Sequence, residues 1–113
     1  YVTLGGYTLV HQFCVLGSYS FTGMGSLISM DVPAFTRVAG NPIKQAGLNS
    51  IGLERKSFTK EQISNLKKAY KIFFREGLRS EDALEKISNE CQQDENIEIF
   101  VDSIKSSSRG VLR

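Results

Sequence analysis

The stretch "LVHQFCVLG", residues 9–17, holds the chain's only imidazole, His11, with the amide of Gln12 beside it. A lone histidine in such a setting admits three roles: general base, substrate contact, or an imidazole packed in a core. A second group of chemically useful side chains follows the turn formers of residues 31–58, where Asn41, Asn49, Arg55 and Lys56 are concentrated. Loops held on a rigid scaffold are where binding groups usually sit. Cys14 and Cys91 lie far apart, and two cysteines suggest neither a disulfide framework nor a zinc site. A reducing, cytoplasmic setting is the default.

The element that must position His11 is visible as a repeat. Counting in sixes from Leu4 gives Leu4, Val10, Leu16, Thr22 and Ile28, each followed by Gly5, His11, Gly17, Gly23 or Ser29. Four places after the first column come Thr8, Cys14, Ser20, Ser26 and Val32, all small or β-branched. Such columns predict a hexapeptide solenoid in which each unit lays down a short strand and a tight turn, with the first column filling a narrow interior. Glycines at 5, 6, 17, 23 and 25 would weaken an ordinary sheet. His11 falls in a turn column otherwise occupied by Gly and Ser, which speaks against a core imidazole.

The chain's 113 residues, 41% apolar and 23% charged, describe a folded globular protein of +2 net charge. The charge is unevenly placed: residues 1–30 hold no Lys, Arg, Asp or Glu, while residues 58–113 hold equal numbers of each sign. No apolar run is long enough for a membrane span, and no charged n-region followed by an apolar segment reads as a secretory signal. Nothing in the charge pattern calls for nucleic acid. A stack needs about three repeats to hold, so a repeat that begins at the first residue is expected to continue upstream of Tyr1.

Residues 1–33 are accordingly assigned to the last solenoid coils, 34–57 to an irregular connector with a substrate-facing loop, and 58–113 to a helical domain. In the last, Thr59 and Gln62 fit a capping box, and Ile63, Leu66, Tyr70 and Phe73 share one helical face until Gly77. Ser80 is expected to cap a second helix carrying Leu84, Ile87 and Cys91; a third begins near Asn96 and carries Ile97, Phe100, Val101 and Ile104. Lys67, Lys68, Lys71, Arg75 and Arg79 stand among acidic neighbours. They form either a solvated face or a docking patch for an acidic partner.

The segments "VHQFCVLG", "DVPAF", "GNP", "GLN" and "GLERKSF", followed by "AYKIFFREG" and the terminal "SSSRGVLR", closely resemble the C-terminal part of the UDP-N-acetylglucosamine O-acyltransferases that start lipid A synthesis. The resemblance implies a cytoplasmic homotrimer of left-handed parallel β-helices with all-α C-terminal domains of about three helices. It further implies active sites between subunits, and transfer of an (R)-3-hydroxyacyl group from acyl carrier protein to the sugar 3-hydroxyl without metal or cofactor. A histidine general base and a backbone oxyanion donor do the chemistry. By the resemblance that base lies upstream of Tyr1, so no catalytic residue is assigned here; His11 matches a second histidine that lines the cleft.

Carried over in the same way, Gln12 and Asn49 match residues facing the nucleotide-sugar, and Arg55 matches the arginine after G-L-x. Lys56 replaces a second arginine, keeping charge for a diphosphate but losing the bidentate fork. Ile51 stands where many members have an acid. Met24 occupies the acyl-chain ruler position, where a large side chain shortens the slot and favours donors of about ten carbons. Two other readings remain open: a sibling hexapeptide enzyme that N-acylates a later glucosamine intermediate, and a non-catalytic trimerising or nucleotide-sugar-binding module.

Overall fold

In a computed structural model describing residues 1–113, the six-residue period becomes a stack of short parallel strands. Strand β1 (Thr3–Leu4) pairs with β3 (Phe21–Thr22), and β2 (Leu9–Val10) pairs with β4 (Leu27–Ile28), each at an offset of eighteen residues, or three repeats. A third side is formed by the parallel bridge between Leu16 and Val32. One turn of the stack therefore takes three hexads, with three faces and three corners. The corners lie at Gly5–Tyr7 with Gly23–Gly25, at His11–Phe13, and at Gly17–Tyr19.

The last coil is shorter. Leu16 meets Val32, and Thr22 meets Val38 of β5 (Thr36–Ala39), at offsets of sixteen residues. This coil reaches Ala39, beyond the boundary expected at residue 33. The interior holds Ile28, Val32 and Val38, with Leu16 and Cys14 packed against them. Thr22 sits in this apolar column because its hydroxyl is 3.1 Å from the Thr8 hydroxyl and accepts from the Gly5 amide. Leu4 and Val10 of the same column are 51% and 39% exposed, since the first coil has a stacked neighbour on one side only.

The backbone turns left-handed at Tyr7, Phe13, Tyr19 and Gly25, all six residues apart, and again at Phe35. Aromatic residues supply the bend at four of these five places. A left-handed L-residue costs roughly 1–2 kcal/mol. At Tyr19 and Phe35 ring packing offsets it: the two rings stack at 5.7 Å, and Phe58 meets Tyr19 edge-on at 5.0 Å. Cβ-free backbone is needed at Gly5 and Gly17 for a different reason, because a Cβ there would overlap the backbone of the adjoining coil.

Residues 34–57 are more regular than their composition suggested. Strand β6 (Lys44–Leu48) folds back antiparallel on β5, with a register shift at Arg37/Val38, and is followed by helix α1 (Ser50–Arg55). Asn49 caps α1 by accepting from the Gly52 amide. The helical part then holds α2 (Lys60–Arg75), α3 (Ser80–Glu90) and α4 (Glu95–Lys105), the three helices expected there, while α1 lies in the connector before it.

The Thr59/Gln62 capping box is formed as expected. Ser80 is not a cap: the N-cap is Arg79, which makes no side-chain capping bond, and the Ser80 hydroxyl accepts from Arg113 instead. Asp94 caps α4 through the Ile97 amide. Ile63, Leu66, Phe73, Ile87, Cys91, Ile97, Phe100 and Ile104 form one core that also takes in Ala34, Phe35 and Leu53, locking the helices to the last coil.

The tail returns to the stack. Val111 bridges to Asp31, and Leu112 enters the apolar interior beside Ile28, Val32 and Val38. The Asp31 carboxylate, buried, accepts from the Val15 amide at 2.8 Å and from the Ser107 hydroxyl at 2.6 Å. No helix is long and apolar enough to cross a membrane.

Candidate functional site

Where β1, β3 and β5 meet α1 at the third corner, the surface opens into a cleft of about 580 Å³. Its polar lining comprises Arg37, Asn49, Arg55 and Lys56; Tyr19 and Phe21 supply flat apolar surface, with no Asp or Glu among the lining residues. Three cations without a carboxylate favour an anion, and the aromatic wall suits a ring. Of the residues singled out from the sequence, the structure brings Asn49, Arg55 and Lys56 together here.

Asn49 is nearly fully buried. Its amide nitrogen donates to the Tyr19 carbonyl at 2.9 Å while its oxygen holds the Gly52 amide, and its backbone amide donates to the Phe35 carbonyl. The side chain thus joins coil to helix, and a Cβ at Gly52 would collide with it. Lys56 holds its ammonium 4.0 Å over the Tyr1 ring. Ile51 is 64% exposed on the cleft wall.

Arg37 was not legible as a site residue, because it falls in the segment expected to be an irregular connector. The bulge in β6 gives it its place: the carbonyl of Ala46 accepts from Arg37 Nη2 at 3.4 Å. Tyr19 and Phe21 fall outside the three repeat columns and were not singled out from the sequence. Their alternation with the inward Ser20 was the available signal, since a buried Ser20 puts both neighbours outside.

His11, Gln12 and Met24 do not join this cleft within one chain. His11 and Gln12 occupy the second corner, exposed, with His11 Nδ1 3.0 Å from the Gln12 carbonyl; that carbonyl also accepts from Arg109 Nη2 at 3.1 Å. Met24 occupies the first corner and is 81% exposed, so within one chain it fills no slot. His11 is not a core imidazole. No three His, Cys, Asp or Glu side chains are gathered as a metal would require.

Residues 31–112 match the family model described as UDP N-acetylglucosamine O-acyltransferase, domain 2. The chain is 46% identical over 110 residues to the acyl-[acyl-carrier-protein]–UDP-N-acetylglucosamine O-acyltransferase of Ectopseudomonas mendocina, covering 97% of this chain and 43% of that protein. Among solved structures, a UDP-N-acetylglucosamine acyltransferase from Bacteroides fragilis superposes with a TM-score of 0.97 at 38% identity, over 99% of this chain and 44% of the other. The Arabidopsis UDP-N-acetylglucosamine acyltransferase gives 0.92 at 32% identity, over 99% and 42%. The chain spans less than half the length of the relatives it matches. Matched through most of its residues by sequence and fold alike, the chain belongs to the UDP-N-acetylglucosamine O-acyltransferase family.

Proposed function

We propose that this chain is the C-terminal part of an enzyme that moves an (R)-3-hydroxyacyl group from acyl carrier protein to the 3-hydroxyl of UDP-N-acetylglucosamine, and that its cleft holds the nucleotide end of the acceptor. The observation that carries this reading is the carboxylate-free grouping of Arg37, Arg55 and Lys56 beside Tyr19 and Phe21. A diphosphate is met by the cations and a pyrimidine ring by the aromatic wall. The O-acyltransferase names of the relatives favour a hydroxyl acceptor over the amino acceptor of an N-acylating sibling.

In this reading the sugar hydroxyl attacks the thioester carbonyl, a histidine outside this chain takes its proton, and a backbone amide stabilises the oxyanion until the carrier thiol leaves. The chain's own residues bind and orient. No step requires a metal or cofactor. Met24, His11 and the cleft lie on three different corners of one chain, and in the homotrimer proposed here one subunit's corner is set against another's. Met24 then acts as chain-length ruler only when a neighbour covers it.

Calorimetric titration with UDP-N-acetylglucosamine, UDP and free N-acetylglucosamine tests the binding role. UDP and its sugar should bind and the free sugar should not; no heat from the nucleotides at millimolar concentration rejects the assignment. The second reading, a non-catalytic binding module, rests on the expectation that the proton-accepting histidine lies outside this chain. It is supported if the whole protein that contains this chain binds nucleotide but shows no turnover with acyl carrier protein donors.

A further inference from the structure

The carbonyl of Gln12 is engaged from two sides: His11 Nδ1 lies 3.0 Å from it and Arg109 Nη2 donates to it at 3.1 Å. The two partners are unrelated in the chain. His11 adjoins Gln12 on the second corner, whereas Arg109 comes from the tail, 97 residues away. A carbonyl oxygen has two lone pairs and accepts both donors at once. For the imidazole this contact is a choice of tautomer: Nδ1 must carry the proton to donate, which leaves Nε2 with a free lone pair.

From this contact we infer that Arg109 is a positioning residue for His11: by holding the Gln12 carbonyl, it selects the Nδ1-protonated imidazole and leaves Nε2 as a hydrogen-bond acceptor facing solvent. The tail around Arg109 has little freedom to drift. Gly110 accepts from the Asp31 amide at 3.2 Å, Ser107 is fixed on the Asp31 carboxylate, and Leu112 is sunk in the interior. The guanidinium therefore approaches the turn from an anchored base. Without it, water competes for the Gln12 carbonyl and His11 loses its fixed acceptor.

The consequence for binding rests on the proposed nucleotide-sugar reading. An acceptor nitrogen at the second corner suits a donor group of the sugar, such as a hydroxyl or the acetamido N–H, and does not suit a phosphate oxygen. His11 would then help choose the sugar, while the third-corner cations hold the diphosphate.

The test is the tautomer itself, read from imidazole 15N shifts of His11 in the full chain at a pH where the ring is neutral. The unaltered chain should show predominantly Nδ1–H. Arg109→Ala should move the tautomer ratio about fivefold toward Nε2–H, the change expected for loss of one ordinary hydrogen bond. Arg109→Lys should fall between the two. Ser107→Ala removes one of the three tail anchors without touching Gln12 and should move the ratio clearly less than Arg109→Ala does, with amide spectra confirming that each variant is folded.

An unaltered chain already in the Nε2–H form overturns the inference. So does a ratio that Arg109→Ala leaves unchanged, or one that Ser107→Ala moves as far. Adding UDP-N-acetylglucosamine while watching the same signals separates the two claims: no response at His11 retires its sugar contact, while the tautomer ratios still decide the part played by Arg109.

Discussion

The backbone amide of Leu112 donates to the carbonyl of Asp31 across 2.8 Å, and this bond helps set an apolar side chain from the end of the chain into the interior of the prism. The contact joins residues 81 positions apart in a chain of 113. It ties the tail to the same residue whose carboxylate holds the Val15 amide.

Leu112→Ala should therefore destabilise the fold by about 2–4 kcal/mol, the range for truncating a buried leucine. Urea denaturation checks it. A change below about 0.5 kcal/mol would mean that the tail rests on the prism without filling it.

Two glycines of the repeat should respond oppositely. A Cβ at Gly17 would run into the backbone of Ala34, whereas at Gly6 the nearest atom is Cγ of Met24 at 3.8 Å. Gly17→Ala is expected to lose at least about 1–3 kcal/mol from overpacking. Gly6→Ala should stay within about 0.5 kcal/mol of the parent in the same thermal or urea comparison.

Much of this architecture is written locally. The six-residue columns, the Thr59/Gln62 box and the faces of α2 to α4 each depend on residues within one or two turns of each other, and all appear where the spacing put them. The β5–β6 hairpin escaped notice because it alternates over too few residues and contains a bulge. Arg37 and Arg109 were missed for a related reason. What matters about each is a carbonyl it meets, Ala46 or Gln12, and no local pattern announces that meeting. Asn49 was singled out by resemblance as facing the nucleotide-sugar; it lines the cleft, but its work in joining Tyr19 to Gly52 needed coordinates.

In the cleft, Arg55→Ala and Arg37→Ala should each weaken UDP binding about three- to tenfold, as expected when one charge-assisted contact is lost near solvent. Raising the ionic strength should shrink both differences. Calorimetry at two salt concentrations reads this directly. Equal affinity of Arg37→Ala and the parent would remove Arg37 from the site.

In the assembled enzyme, Met24→Gly should shift donor preference toward longer 3-hydroxyacyl chains, by about 10- to 100-fold in relative kcat/KM, because the side chain no longer shortens the slot. A chain-length series of acyl carrier protein donors measures it. An unchanged ranking would make Met24 ordinary surface.

Alkaline pH should erode stability through Cys91. Burial pushes its thiol above the ordinary value of 9.0, with nearby Lys68 opposing. The folded chain thus keeps this proton longer than the unfolded chain, so stability falls as pH rises above about 9 and levels once the folded thiol also ionises. Cys91→Ala should flatten that first fall. The later one, from the buried Tyr70 phenol, also raised by burial, should persist. Alkylation gives an independent check: half-buried Cys14 should react in the native state and Cys91, 6% exposed, only on unfolding.

A stack of identical coils is a lattice in one dimension, and nothing in the repeat itself says where growth should stop. Here termination is built from three unlike pieces: a coil two residues short, a strand that reverses direction onto β5, and a leucine delivered from the tail. Together they leave the last coil little free strand edge on which another chain could add. Removing the last few residues should thus do more than soften the fold. It would reopen the growing face, and the truncated chain should join end to end into oligomers whose size increases with concentration.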